Sequence, residues 1–111
     1  MEQKPDVFAA IGDPTRRQIL MLLTTGALSI NMLAANFDIS RPAVSKHIKV
    51  LEQAGLVAIT DEGRERFCTL EATGFREIHD WLQFYEQFWK HKLTRLGEVL
   101  DIHVRSKNKP K

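Results

Sequence analysis

At 111 residues, with 43% apolar and 27% charged side chains, the chain suits one compact globular unit and excludes a disordered segment or several domains. No uninterrupted apolar run approaches the roughly 18 residues of a membrane span, and a single cysteine, Cys68, excludes an internal disulfide or a cysteine-built metal site. The net charge of +2 excludes little: residues 1–70 carry eight basic and eight acidic groups, residues 71–104 four and six, and the excess lies in Arg105, Lys107, Lys109 and Lys111.

In chain order, Met1 to Asp6 lead into too short an apolar stretch for a secretory signal, so the expected compartment is the cytoplasm. Val7, Phe8 and Ile11 share one apolar face, which predicts a short opening helix. Asp13 and Pro14 suit an N-cap and a first helical position, where a carboxylate accepts orphan N–H groups and the missing proline donor costs nothing. A second helix is predicted through Ile19, Leu20, Leu22 and Leu23, stopping near Gly26. Arg16 and Arg17 oppose the dipole of its first turn, which points to a carboxylate or phosphate partner. Leu28 to Phe37 shows a further helical pattern with Ser29 as cap, and Asp38-Ile39-Ser40 breaks it. With Ser40 as the next N-cap, a helix opens at Arg41-Pro42. Val44, Ile48 and Leu51 follow the spacing of one buried face until Gly55. Two helices so closely joined have a helix-turn-helix layout.

The period changes at Leu56. Leu56 to Thr60 is apolar and β-branched, Asp61-Glu62-Gly63-Arg64 is a turn, and Arg66 to Leu70 alternates, which predicts a β-hairpin. After Thr73, Phe75, Ile78, Leu82, Tyr85, Trp89, Leu93, Leu96 and Leu100 recur at steps of three or four. One helix over residues 74–104 would span roughly 46 Å, with a break possible at Gly97. The basic residues 105–111 are expected as a disordered tail. The whole is mainly α with a small β-hairpin: a winged helix-turn-helix domain over residues 1–104. Residues 1–72 are expected as its core and residues 73–104 as a long appended C-terminal helix, which the side chains taken next mark as candidates for DNA binding and for dimerisation.

If Val44, Ile48 and Leu51 face inward, then Arg41, Pro42, Ser45, Lys46 and Lys49 face away, short or positive and with no acid among them. A major groove admits one helix, and its base edges offer acceptors to Arg and Lys and partners to Ser. Ser40 and Arg41 stand at the helix N-terminus, where free N–H groups approach phosphate. The alternative is a merely solvated polar face. On the hairpin, Arg64 and Arg66 suit a neighbouring minor groove, although Asp61, Glu62 and Glu65 leave surface ion pairing open for Arg66. His47, at the edge of the buried face, is expected as a packed, hydrogen-bonded histidine and not as a base reader. Trp81, Phe84, Tyr85, Phe88 and Trp89 put more aromatic surface on the last helix than one small domain hides. The expectation is a homodimer through Phe8, Trp81, Leu82, Tyr85, Phe88, Trp89, Leu93, Leu96 and Leu100. The alternative is that several of these fill the monomer core.

The stretches Asp13-Pro14-Thr15-Arg16-Arg17-Gln18-Ile19-Leu20, Leu33-Ala34, Ser40 to Leu51 and Ala54-Gly55-Leu56-Val57, with Glu62-Gly63-Arg64 as wing tip, resemble the ArsR family of bacterial transcriptional repressors. The resemblance covers about residues 7–70. The aromatic last helix is similar to the metal-independent, SdpR-like branch. The resemblance implies a dimeric repressor on double-stranded DNA with a near-palindromic operator. Asp38 stands where many relatives carry Gly, and Asp tolerates left-handed backbone well. Of the family's sensor sites, the cysteine-rich one has no counterpart, since residues 28–37 contain no Cys. The carboxylate-and-histidine one meets only Glu77-Ile78-His79 and a lone His91, with Thr94 where a second His would stand. No metal or other cofactor is expected. Catalysis is disfavoured too, because there is no phosphate loop or nucleophile elbow and Ser45 and His47 face different ways. The remaining alternatives are a winged-helix module for protein association alone, or a metal- or thiol-responsive sensor.

Overall fold

Four short-range side-chain caps mark where helices begin. Asp6 accepts from the Phe8 N–H at 3.3 Å, Asp13 from Arg16 at 3.1 Å, Ser29 from Met32 at 3.1 Å and Ser40 from Ala43 at 3.2 Å. Each satisfies an N–H that has no partner inside its helix. The computed structural model describes residues 6–108, apart from the side chains of Trp89, Leu93 and residues 99–108. Its elements are α1 (Val7–Ile11), α2 (Pro14–Leu22), a 3-10 turn (Leu23–Thr25), β1 (Leu28–Ser29), α3 (Ile30–Ala34), α4 (Arg41–Gln53), β2 (Val57–Glu62), β3 (Glu65–Leu70) and α5 (Ala72–Asn108).

The predicted helix over Leu28 to Phe37 is shorter than expected. Leu28 and Ser29 are a strand, paired with Cys68 and Phe67 of β3, and helix occupies only Ile30–Ala34. The hairpin is thus a three-stranded antiparallel sheet in the order β1-β3-β2. Its tip closes between Glu62 and Glu65, with Gly63 at φ +63° and Arg64 at negative φ, the combination a type II′ turn uses. Asp38 takes no left-handed backbone, because among the described residues only Gly26, Gly55 and Gly63 have positive φ.

Val44, Ile48 and Leu51 meet Ile19 and Leu20 of α2, Leu33 of α3, Leu56 just before β2, and Val57 and Cys68 of the sheet in one buried cluster, with Val7 and Ala10 of α1 against it. Removing a side chain of this size from water contributes about 1.5–3 kcal/mol, so the inward face of α4 holds the other face outward.

Gly55, at φ +77°, ends α4, and the Leu56 N–H returns to the Leu51 carbonyl at 2.9 Å. The same turn receives the start of α5: Gly74 donates to the Gly55 carbonyl at 2.7 Å, and a Cβ on Gly74 would lie 2.7 Å from the Ala54 carbonyl oxygen. Gly74 is buried and Ile78 packs on the core. The first turns of α5 therefore belong to the winged unit, and the chain divides into two compact units after Ile78. The second unit is the remainder of α5, which passes Gly97 without a break and continues through Arg105 to Asn108. The basic tail expected from Arg105 therefore overlaps the end of α5. Residues 109–111 lie outside the described residues.

Candidate nucleic-acid interface

The caps and core set which way α4 presents its side chains. Val44 and Leu51 are 0% exposed and Ile48 1%, whereas Ser40, Arg41, Pro42, Lys46 and Lys49 are exposed and Ser45 is half-buried. Ser45, Lys46 and Lys49 line one shallow depression of about 250 Å³ with Arg66 of β3. Ile30, Ile48, Glu52 and Ile59 complete it. The structure thus brings four of the eight residues expected to meet DNA to one place. Arg41 stands apart at the N-terminus of α4, beside Ser40 and Pro42, and Arg64 at the exposed hairpin tip.

Glu52 is the acid that sequence reasoning missed in this depression. It lies three residues beyond Lys49, one helical turn along, and that spacing was the available signal. Arg66 donates from Nε to Asp61 Oδ1 at 3.0 Å across the β2–β3 ladder. With the side chains 58% and 72% exposed, such a pair contributes between roughly 0 and 1 kcal/mol and leaves the guanidinium able to exchange partners.

Arg16 and Arg17 have different partners from those expected. Arg16 donates from Nε to the Ala10 carbonyl at 2.7 Å and from Nη2 to the Ala9 carbonyl at 3.2 Å, and Arg17 donates from Nη1 to the Ile11 carbonyl at 2.8 Å. Both cations therefore sit on the C-terminal carbonyls of α1, where the helix dipole is negative. The third Arg16 partner is Nδ1 of His47 on α4, at 3.2 Å, so His47 is half-buried and hydrogen-bonded. The Arg16 N–H chiefly holds the Asp13 carboxyl below its ordinary range, against a smaller opposing effect of burial.

Cys68 lies fully buried in β3, and burial pushes its thiol up to about 11. Among the described residues, no three His, Cys, Asp or Glu side chains form a group that could hold a metal ion. His79 and Asp80 make an exposed contact at 3.7 Å. No helix among them is long and apolar enough to cross a membrane.

The second unit carries exposed apolar side chains along α5: Trp81, Leu82, Phe84, Tyr85, Phe88 and Leu96. Trp81 and Tyr85, one turn apart, stack edge to face with centroids 5.2 Å apart, and Lys92 Nζ lies 4.5 Å from the Phe88 ring centre. The side chains of Trp89, Leu93 and Leu100, also expected in a dimer seam, lie outside the described residues. Phe8 is half-buried on the core of the winged unit.

Residues 13–58 match the model of the bacterial regulatory protein arsR family. The chain is 37% identical to the HTH-type transcriptional regulator Rv2034 of Mycobacterium tuberculosis over 100 residues, 89% of this chain and 91% of that relative. It is 36% identical to the transcriptional repressor SdpR of Bacillus subtilis over 77 residues, 69% of this chain and 86% of that relative. Among solved structures, one described as an ArsR family transcriptional regulator superposes with a TM-score of 0.70 at 35% identity, covering 81% of this chain and 97% of that one.

Proposed function

The chain belongs to the arsR family and is a DNA-binding transcriptional regulator, and on that premise we propose that it is a homodimeric repressor whose two α4 helices occupy a near-palindromic operator and occlude a promoter. The observation that carries this reading is the two-sidedness of α4, with Val44, Ile48 and Leu51 in the core and Arg41, Pro42, Lys46 and Lys49 in solvent. Lys46 and Lys49 supply phosphate or base-edge contacts in the major groove, with Ser45 beside them. Arg41 and Ser40 meet the backbone at the helix start, and Arg64 and Arg66 reach the adjoining minor groove. A protein-docking surface would instead centre on buried-on-binding apolar anchors. Repression is supported by the likeness to SdpR, which is named a repressor. The reading assigns the chain no catalysis and no cofactor, and it places the chain in the cytoplasm, where a bacterial promoter lies.

Dimerisation is supported by the exposed aromatic length of α5, since a helix apolar over so wide an arc gains by pairing. A two-fold axis would set the two α4 helices about one DNA turn apart, ~34–36 Å. The test is binding of the full chain to a duplex that it enriches from a random library, compared with Lys46→Glu and Lys49→Glu. Each charge reversal is expected to weaken binding at least tenfold, about 1.4 kcal/mol or more. Full affinity in both variants contradicts the proposed surface.

A further inference from the structure

Arg16 is half-buried where α1, α2 and α4 meet, and its side-chain partners carry no formal charge: the Ala9 and Ala10 carbonyls and the imidazole of His47. A guanidinium only donates, so Nδ1 of His47 has to accept, which fixes the ring as the neutral tautomer with its proton on Nε2. One side chain rooted on α2 thereby joins the end of α1 to the flank of α4. His47 adjoins Lys46 in sequence, and its neighbours on the helix surface include Val44 and Leu51 in the core. His47 therefore links this junction to the helix that carries the outward side chains.

We propose that Arg16 is a positioning residue for DNA reading, holding α4 through the neutral imidazole of His47, and that protonation of His47 loosens sequence discrimination. The inference rests on α4 as the reading helix. A protonated ring would set an N–H against the guanidinium at 3.2 Å, exchanging a hydrogen bond for two donors and two like charges. One nearby carboxylate, Asp13, offsets part of this. Neither Val7–Ile11 of α1 nor Ile30–Ala34 of α3 includes a titratable side chain. From α2, Arg17 is turned to the Ile11 carbonyl, whereas the Asp13 carboxylate, which accepts from the Arg16 N–H, also interacts with His47 through its charge. β2 brings Asp61, which is on Arg66, and the exposed Glu62. On α4 itself, Arg41, Lys46, Lys49 and Glu52 are exposed. An added positive charge also attracts any phosphate, so affinity alone does not report on the clamp. The ratio of specific to non-specific binding does.

The experiment measures that ratio for the full chain at about pH 8 and about pH 5.5. Its probes are the duplex enriched from a random library at the higher pH and a scrambled duplex of the same composition. The wild-type ratio is expected to fall roughly tenfold on acidification, the worth of one hydrogen bond to a charged group. His47→Gln, which keeps an acceptor for Arg16 but does not titrate, is expected to hold a high ratio at both pH values. His47→Leu is expected to be poor at both while keeping its helical circular dichroism. If that variant fails to fold, the comparison of wild type with His47→Gln decides alone. A flat wild-type profile, a fully discriminating His47→Leu, or a His47→Gln that is poor at either pH overturns the clamp. The last would leave the other three histidines or the fold as the cause. A library from which nothing is enriched overturns the reading of α4 as well, and so separates the two failures.

Discussion

Asp13 serves α2 twice, as the acceptor that starts the helix and as the anion next to the Arg16 backbone. Asp13→Ala is expected to cost about 1 kcal/mol of stability in a thermal or urea melt, the usual worth of such a cap. The folded carboxyl titrates below its unfolded value, so its contribution is complete above about pH 4 and is lost as pH falls through the folded value. The variant should therefore show a shallower acid limb than the wild type, and an identical limb would contradict the capping role. Cys68, buried and raised to about 11, is expected to resist iodoacetamide at pH 8 in the native state and to react once urea unfolds the chain. Fast native labelling would place it elsewhere. Arg41→Ala is expected to cost roughly 1–3 kcal/mol of binding to the enriched duplex if the side chain reads a base, and little on a scrambled one.

The residue scale also marks how far local pattern reaches. Ser40, Ser29 and Asp13 were legible as caps because the acceptor and its N–H lie three residues apart. The partners of Arg16 and Arg17 were not legible. Their charges stand out against the dipole of α2, but the carbonyls that satisfy them lie six or seven residues back, on a different helix. Only the tertiary fold brings those together.

At the scale of elements, α4 is legible in the sequence because thirteen residues repeat the helical period with a marked start and stop. β1 was not, since two residues show no alternation and Leu28 and Ser29 become a strand only when β3 lies alongside. The join between α4 and α5 was equally hidden. Nothing local distinguishes Gly74 from a glycine that a helix merely tolerates, yet a Cβ there would lie 2.7 and 2.9 Å from the Ala54 and Gly55 carbonyl oxygens. Gly74→Ala is expected to destabilise the winged unit by about 1–3 kcal/mol, because backbone must move to admit the methyl group. A melt unchanged from the wild type would show that the contact gives way at no cost. The depression between α4 and the sheet gathers Lys46, Lys49 and Arg66 from elements that the sequence had assigned separately. That the three share one surface follows from the register of β2 on β3, which no helix pattern encodes.

At the scale of the whole molecule, the proposal turns on two copies of the chain. Phe88→Asp on α5 is expected to yield monomers in sedimentation, with binding to the enriched duplex reduced and binding of a single half-site retained. A persistent dimer would move the seam off this part of the helix. The aromatic length of α5 was legible in the sequence, but which of its side chains meet a partner was not, since one helical stripe looks alike whether it is buried within a chain or between two. The most direct measurement of the central claim is the salt dependence of duplex binding by wild type, Lys46→Ala and Lys49→Ala. If α4 lies on DNA through these side chains, the log–log slope should be steep for the wild type and shallower by about one for each phosphate contact removed. Slopes that are flat, or that stay the same in both variants, would contradict the account.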